Sequence, residues 1–258
     1  MITQVINIVR KASELMVTDV MVEQKGNESN FVTSADVNVQ RFLEKQLTSL
    51  IPNSTFLGEE SVDDIIESEY MWVVDPIDGT ANFIRGLGSS VISVGLVKNG
   101  KTHLGVIYDP YKDEMFYAER GKGAFLNGKQ IYVSKRDFRH SIICSAASQY
   151  DKTLAQPCFN IIQQVHCQAD DFRRFGAAAL EMAYLAAGRI ELFFEIRLFP
   201  WDMTAGEIIV EEAGGYIEHL YEDHLPLDRP SGILISNNKE NFRKLKEIVY
   251  GVMPCKLY

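Results

Sequence analysis

The 258-residue sequence predicts an α+β/α/β layered sandwich, in which layers of helix and sheet alternate. Three observations predict this class. Apolar residues recur at helical spacing in several segments, short apolar runs between turn residues indicate buried strands, and strands alternate with helices in the second half. Hydrophobic residues make up 46% of the chain and charged residues 24%, which excludes a disordered chain, a collagen and a coiled coil.

The first 140 residues predict a helix pair followed by a mainly antiparallel sheet. One helix is predicted over 2–22, and a second begins at the Thr33-Ser34-Ala35-Asp36 segment and ends before Pro52. Asn99-Gly100 between two apolar runs predicts a hairpin turn. The predicted strands are 55–57, 71–74, 91–98, 102–108 and 114–118.

Residues 141–258 predict a C-terminal α/β half that packs with the first as one compact unit. Gly188 and Gly214 end two of its helices. We expect Pro157 to interrupt another helix. The predicted strands are 141–145, 190–196 and 232–236, and the predicted helices are 152–164, 177–187, 203–213 and 239–250.

Charge and cysteine usage restrict the partners and the compartment. The formal net charge of −9 argues against nucleic acid or an anionic membrane as the main partner. The longest uncharged apolar run is too short to span a bilayer. No C-x-x-C pair and no secretory signal are found, so we expect reduced thiols and a cytoplasmic protein.

The segment W-V-V-D-P-I-D-G-T at 72–80 carries the most chemical information. A buried strand ends in Asp75 and Asp78, which we expect to face one site from either side of a tight turn. Proline holds the preceding Asp75 in an extended conformation and has no N–H of its own. The carbonyl of Ile77 is then available as a hard oxygen ligand. These features favour a metal site.

The end of the same segment favours a phosphate. Gly79 allows backbone to approach a ligand closely, and Thr80 supplies a hydroxyl at the predicted start of a helix, where backbone N–H groups attract anions. The alternative is a capped turn in which Asp75 and Asp78 bond only to local backbone. The strand, proline, glycine and threonine together favour the metal–phosphate site.

Three further acidic elements are ambiguous when taken alone. Glu59 and Glu60 are compatible with a solvated surface, and Asp202 after Trp201 is compatible with an ordinary helix N-terminus. Asp36 has the same alternative role as a helix cap, with Thr33 and Ser34 competing for it.

Taken together, these elements resemble the inositol monophosphatase family of Mg²⁺-dependent, lithium-sensitive sugar phosphatases. The resemblance extends over nearly the whole chain, and the pair of D-P-I-D-G-T and W-D motifs is its most specific part. The matching elements are Lys25, T-S-A-D at 33–36, G-E-E at 58–60, D-P-I-D-G-T-A-N-F at 75–83, G-A-A at 176–178, Glu195, W-D at 201–202 and G-G at 214–215.

The resemblance implies a role for each matching residue. Two or three Mg²⁺ ions would be held by a set made of Glu59, Asp75, the Ile77 carbonyl, Asp78, Asp202 and Asp36. Thr80 and Asp36 would form a pair that orients and deprotonates the attacking water, assisted by Glu59. Lys25 would lie near the metal loop. Substrate contacts would come from Asp78, Gly79, Thr80, Gly176, Ala177, Ala178, Glu195 and Asp202.

The implied activity is hydrolysis of inositol monophosphate or a similar small sugar phosphate by a cytoplasmic homodimer. Ala177 and Phe199 stand where the family often has polar residues, which puts inositol 1-phosphate in doubt as the preferred substrate. Arg173 and Arg174 are compatible with a second phosphate, a subunit interface or neither.

Other activities on the same scaffold stay open. They are fructose-1,6-bisphosphatase, broad-specificity sugar phosphatase, adenosine 3′,5′-bisphosphate 3′-phosphatase and a regulatory binding protein. The adenosine bisphosphate group usually has Lys-Glu where Ala81-Asn82 follow Thr80, so we rank it lower.

Overall fold

Helices and strands alternate along the chain in a computed structural model that describes residues 1–17, 21–24, 31–60, 68–149 and 151–253. Its helices are α1 (Ile2–Ser13), α2 (Ser34–Leu50), α3 (Thr80–Ile84), α4 (Ala155–His166), α5 (Ala178–Ala186), α6 (Pro200–Glu212) and α7 (Lys239–Val252). Its strands are β1 (Val22–Gln24), β2 (Phe31–Thr33), β3 (Thr55–Gly58), β4 (Tyr70–Asp78), β5 (Val91–Lys98), β6 (Lys101–Asp109), β7 (Glu114–Glu119), β8 (Ala124–Leu126), β9 (Lys129–Ile131), β10 (Ile142–Ser145), β11 (Asp171–Arg173), β12 (Leu192–Leu198), β13 (Tyr216–Leu220) and β14 (Ser231–Ser236).

The strands form two large sheets and one ribbon. The seven-stranded sheet has the order β3-β4-β5-β6-β7-β8-β9 and is antiparallel except for the parallel pair of β3 and β4. The five-stranded sheet has the order β11-β10-β12-β14-β13, with β10 parallel to both of its neighbours. Strands β1 and β2 form an antiparallel ribbon. The predicted layered class is confirmed.

Side-chain alternation along the strands sorts the core into layers. On β12, Phe193 joins a core with α5 and α6, while Leu192 and Phe194 face a second core with α4 and α7. On β4, Trp72 packs in a third core with α1 and α2. A strand buried on both faces alternates its apolar side chains between two layers. The order of layers is therefore helix, sheet, helix, sheet, helix. No described helix is long and apolar enough to cross a membrane.

Helix α6 lies unusually close to the larger sheet because two glycines face it. Gly95 and Gly105 are directly opposed on β5 and β6. A Cβ atom built on Gly105 would lie 2.4 Å from the Ala205 carbonyl oxygen, and one on Gly95 would lie 2.4 Å from Thr204 Cγ2. The absence of side chains lets the helix backbone rest on the sheet, which brings the first turn of α6 to the end of β4.

Two sequence predictions about helices were wrong. The helix predicted over 2–22 ends at Ser13, and Val22 already belongs to β1. Pairing with β2 replaces the helical pattern there, because tertiary contacts override a weak local preference. Pro157 does not interrupt α4, since it occupies the first turn, where a missing N–H costs no helical hydrogen bond.

Most of the other predicted elements agree with the structure to within about three residues at each end. Asn99 and Gly100 both adopt positive φ angles of 50° and 73° in the predicted hairpin turn. The five shortest strands, β1, β2, β8, β9 and β11, were missed because three residues carry too little periodicity. The five-residue strand β13 was missed as well. The division near residue 140 stays a prediction: the two large sheets come from either side of it, yet α6 packs on the first.

Because α6 packs so closely on the larger sheet, one methyl group added at a glycine that faces it should lower the stability of the protein. Gly105→Ala should lower the free energy of unfolding by about 2 kcal/mol, because the Cβ atom would force backbone apart in a packed core. Urea denaturation measures this change. Gly251→Ala on α7 is the control: no atom lies within 4 Å of its new Cβ, so it should be neutral or stabilising. Equal stability of the two variants would contradict the close packing.

Candidate active site

The carboxylates of Asp75 and Asp78 stand at the carboxyl end of β4. Both residues are buried, and both pair with β5, Asp75 opposite Ser93 and Asp78 opposite Val91. The register shifts between the two pairs, so the predicted tight turn is a β-bulge within the strand. Asp75 Oδ1 accepts a hydrogen bond from the Ile77 N–H at 2.9 Å. The bulge directs two acidic side chains toward one region.

The third carboxylate comes from the first turn of α6. Asp202 is buried, and its Oδ2 atom accepts a hydrogen bond from the Phe199 N–H at 2.7 Å. Phe199 and Trp201 stack with ring centroids 4.9 Å apart. Ser93 Oγ on β5 donates to the Trp201 carbonyl at 3.3 Å. These contacts fix the start of α6 against the end of β4.

Asp75, Asp78 and Asp202 form one carboxylate cluster. Each offers an oxygen, and these three atoms lie within 4.8 Å of one another. Burial raises the pKa of Asp75 well above its ordinary value, and the charges of Glu59, Asp78 and Asp202 raise it further. Burial also raises the pKa of Asp202, with Asp78 and Glu59 contributing. Clustered buried carboxylate oxygens are the donor set that Mg²⁺ prefers, and a bound cation would offset their repulsion.

Asp78 also connects this cluster to α5. Its Oδ2 atom accepts a hydrogen bond from the Ala179 N–H at 2.7 Å. The residue before this helix, Ala177, has no side chain that could cap it. Burial raises the pKa of Asp78 to about 6, and bonds from N–H groups of α5 oppose the shift. Asp78 therefore caps α5 from a distant part of the sequence.

The carboxylate cluster opens into a cavity with about 730 Å³ of empty space, part of it open to solvent. Every residue predicted for the site lines this cavity except Asp36 and Ala177. The predicted residues that line it are Glu59, Asp75, Ile77, Asp78, Gly79, Thr80, Gly176, Ala178, Glu195 and Asp202.

The two exceptions, Asp36 and Ala177, are buried and do not line the cavity. Ala177 is buried, and its Cβ would be 3.1 Å from a Cβ atom on Gly79. Asp36 is buried, and its Oδ2 atom accepts from the Thr33 N–H at 2.8 Å in a capping box at the start of α2. Its charge still contributes to raising the pKa of Asp75. Asp36 thus belongs to the electrostatic environment of the cluster.

Thr80 uses its hydroxyl locally. Its Oγ1 atom donates to the Ile77 carbonyl at 3.1 Å. The pair of Thr80 with Asp36 that the family resemblance implies stays a prediction. Lys25, which the resemblance also places near the metals, lies outside the described residues.

Glu195 carries a further buried carboxylate into the cavity. It sits on β12, where the register with β14 shifts between Glu195 and Leu198. Burial raises its pKa well above the ordinary value, and Glu181 and Asp202 add to the shift. The positive charge of Arg174 opposes it. This part of the cavity therefore combines a buried carboxylate with the nearby positive charge of Arg174.

The sequence analysis did not identify Arg197 as a site residue and left the role of Arg174 open. Both line the cavity, while Arg173 is exposed and pairs with Asp171. Arg197 is two residues after Glu195 on β12, and strand periodicity places both on one face, which is the signal that could have found it. The other cavity residues not predicted are Ala81, Ala146, Gln149 and Leu198.

Comparison with known proteins agrees with this geometry. A family model described as the inositol monophosphatase family matches residues 1–252. The chain belongs to this family. It is 37% identical over 232 residues to Nus factor SuhB of Escherichia coli K12, covering 87% of this chain and 86% of that one.

One curated relative and one solved structure from Thermotoga maritima extend the family comparison. A fructose-1,6-bisphosphatase/inositol-1-monophosphatase is 37% identical over 196 residues, covering 76% of this chain and 74% of that one. The solved structure of an inositol monophosphatase has a TM-score of 0.86 and 31% identity, covering 96% of each chain. The resemblance stated from the motifs is confirmed.

The raised pKa values make the stability of the metal-free protein depend on pH. When the pKa of a carboxyl group is higher in the folded chain than in the unfolded chain, the folded chain binds more protons at pH values between the two pKa values. Stability therefore falls as pH rises from about 4 through the folded value, which for Asp78 is about 6.

The variant Asp75→Asn should relieve this repulsion. In EDTA at pH 8, we expect its free energy of unfolding to exceed that of the parent by about 2 kcal/mol, with the difference shrinking toward pH 4.5. The amide oxygen can keep the bond to the Ile77 N–H. Chemical denaturation at the two pH values measures the effect. Destabilisation at pH 8 without metal would contradict the account.

Proposed function

We propose that the chain is a Mg²⁺-dependent phosphomonoesterase that hydrolyses inositol monophosphate or a similar small sugar phosphate. The cluster of Asp75, Asp78 and Asp202 at the cavity wall carries this proposal. The three side chains come from two separate elements, and their mutual repulsion is costly unless a cation binds. Family membership supports the same reaction class.

The metal site would combine carboxylate side chains with one backbone carbonyl. Asp75, Asp78 and Asp202 would hold Mg²⁺, with Glu59 and the Ile77 carbonyl completing a set for two or three ions. Bound there, Mg²⁺ supplies a nucleophilic water of lowered pKa and positive charge against the phosphate oxygens.

The chain's own groups would orient the reactants. Thr80 lines the cavity beside the cluster and would position the attacking water, with Asp36 as its implied partner. Gly79 keeps backbone close to the phosphate, since its φ of 85° and its packing against Gly176 leave no room for a side chain. A water beside Asp202 would protonate the leaving alkoxide.

Other residues that line the cavity would bind the polyol. Glu195 is a buried carboxylate that accepts hydrogen bonds when ionised, and ring hydroxyls are suitable donors. Gly176 and Ala178 offer backbone groups along the same wall. Hydroxyl-rich phosphate esters therefore match the cavity better than apolar ones.

Removal of one cluster carboxylate should abolish the reaction. Asp202→Asn should lower kcat for inositol 1-phosphate at saturating Mg²⁺ by about 10³-fold or more, because it removes charge that would hold metal. Phosphate release measures the loss. Asp137→Asn is the matched control, since Asp137 also accepts a backbone N–H three residues away, that of His140, but is exposed and outside the cavity. Absence of Mg²⁺-dependent release by the parent from every sugar phosphate tested would refute the proposal.

A substrate with a second phosphate is a second candidate, and the two cavity arginines favour it. Arg197 Nη1 lies 3.6 Å from Asp151, and its Nε atom is buried without a hydrogen-bond partner among the described residues. Arg174 lines the same cavity. Guanidinium groups bind phosphate through charge-assisted hydrogen bonds. The double name of the Thermotoga maritima relative supports this candidate.

Fructose 1,6-bisphosphate and fructose 1-phosphate separate the two candidates, because they differ only in the second phosphate. Arg197→Met or Arg174→Met should lower kcat/KM for the bisphosphate about tenfold or more while changing that for fructose 1-phosphate about twofold or less. Arg173→Met is the control, since this neighbour is exposed and paired with Asp171. An equal loss on both substrates would contradict recognition of a second phosphate.

Assembly and a regulatory role also remain proposals. The name Nus factor SuhB supports a role in binding another macromolecule, separate from hydrolysis. The homodimer rests on family analogy. The intact carboxylate cluster favours catalysis as the primary role, because a purely binding protein would gain stability by losing these repelling charges.

A further inference from the structure

Glu181 on α5 is a buried carboxylate that does not line the cavity and that sequence reasoning passed over. It is 1% exposed. Its Oε1 atom accepts hydrogen bonds from the backbone N–H groups of Phe175 at 2.6 Å and Gly176 at 3.0 Å. The side chain therefore reaches back past the start of its own helix and holds the turn that precedes it.

The same turn is also held by the segment 75–83, which carries Asp75 and Asp78 of the carboxylate cluster. Asn82 Nδ2 donates to the Phe175 carbonyl at 2.7 Å and to the Ser89 carbonyl at 2.8 Å. The Gly176 carbonyl oxygen lies 3.1 Å from the position of a Cβ atom on Gly79. Two polar side chains and one tight packing contact thus fix a turn only a few residues long.

Capping of α5 does not explain why a carboxylate is buried at Glu181. The N–H groups at the start of α5 already have Asp78 as their acceptor, and the amides that Glu181 binds belong to residues before the helix. Its second oxygen, Oε2, is buried without a hydrogen-bond partner among the described residues. A buried carboxylate left half unpaired is unfavourable for stability, which is typical of positions retained for function.

We propose that Glu181 is a positioning residue for substrate binding, which fixes the Phe175–Gly176 turn so that Gly176 and Ala178 face the substrate hydroxyls. This inference rests on the proposed phosphatase function. The carboxylates that would hold metal stand on β4 and α6, outside the turn. Loosening the turn should therefore weaken substrate binding more than it slows the chemical step.

A pair of variants separates positioning from folding. Glu181→Met removes the acceptor but keeps side-chain length and helix propensity, so the chain should still fold. We expect KM for inositol 1-phosphate to rise about tenfold, kcat to stay within about threefold and the inhibition constant of inorganic phosphate to stay within about twofold. Glu181→Gln keeps one oxygen for the two N–H groups and should restore KM to within about twofold of the parent.

Glu191 provides the matched control away from the cavity. It is also 1% exposed, and its carboxylate accepts the Ile142 N–H at 2.8 Å. Glu191→Met should lower the melting temperature but leave KM unchanged. An unchanged KM in Glu181→Met, an equal rise in Glu181→Gln, or a loss confined to kcat would each overturn the proposal.

Hydrogen exchange gives a readout that does not depend on catalysis. The amides of Phe175 and Gly176 should exchange faster in Glu181→Met than in the parent, and at the parental rate in Glu181→Gln. If the parent hydrolyses no phosphate ester, the phosphatase proposal fails. Hydrogen exchange then still tests whether Glu181 fixes the turn. Unchanged exchange in Glu181→Met would overturn the positioning role by itself.

Discussion

Electrostatic repulsion among buried carboxylates is the constraint on which the site depends. Asp75, Asp78 and Asp202 are all buried, and their oxygens crowd within 4.8 Å. Two like charges about 4 Å apart repel by on the order of 4 kcal/mol at an effective dielectric near 20. The fold must hold this arrangement against the repulsion, and the close contact of α6 with the larger sheet does so. Glycines at positions 95 and 105 make that contact possible.

One of these carboxylates connects parts of the fold that are distant in sequence, because Asp78 on β4 binds the start of α5. Asp202 instead makes a local bond, which joins Phe199 to the first turn of α6. Glu181 and Asn82 then hold the turn between these regions. The carboxylate cluster and this turn are thus parts of one hydrogen-bonded framework, which fixes the position of one relative to the other.

Much of this site was predictable because its chemistry lies in short local motifs. The order of strand, Asp75, Pro76 and Asp78 predicted two carboxylates at a strand end, and the structure places them there. Family resemblance, rather than local pattern, brought in Glu59, Glu195 and Asp202, each of which has an ordinary surface or capping role when read alone. Long-range packing brings these side chains to one cavity.

The features that sequence reasoning missed depend on tertiary geometry. Arg197 follows Glu195 at strand spacing, but only the position of β12 shows that both face the cavity. Glu181 reads as an ordinary helix residue, and its bonds to Phe175 and Gly176 arise from a turn that no pattern predicts. The first helix was predicted too long for the same reason, because the pairing of β1 with β2 determines the structure of that region.

Crystals grown with Mn²⁺ in place of Mg²⁺ would show whether the three carboxylates bind a metal ion, because the anomalous scattering of Mn²⁺ locates the ion. We expect an anomalous peak about 2 to 2.5 Å from carboxylate oxygens of Asp75, Asp78 and Asp202 together. No peak at this cluster, or Asp202 turned away from Asp75 and Asp78 at saturating Mn²⁺, would contradict it.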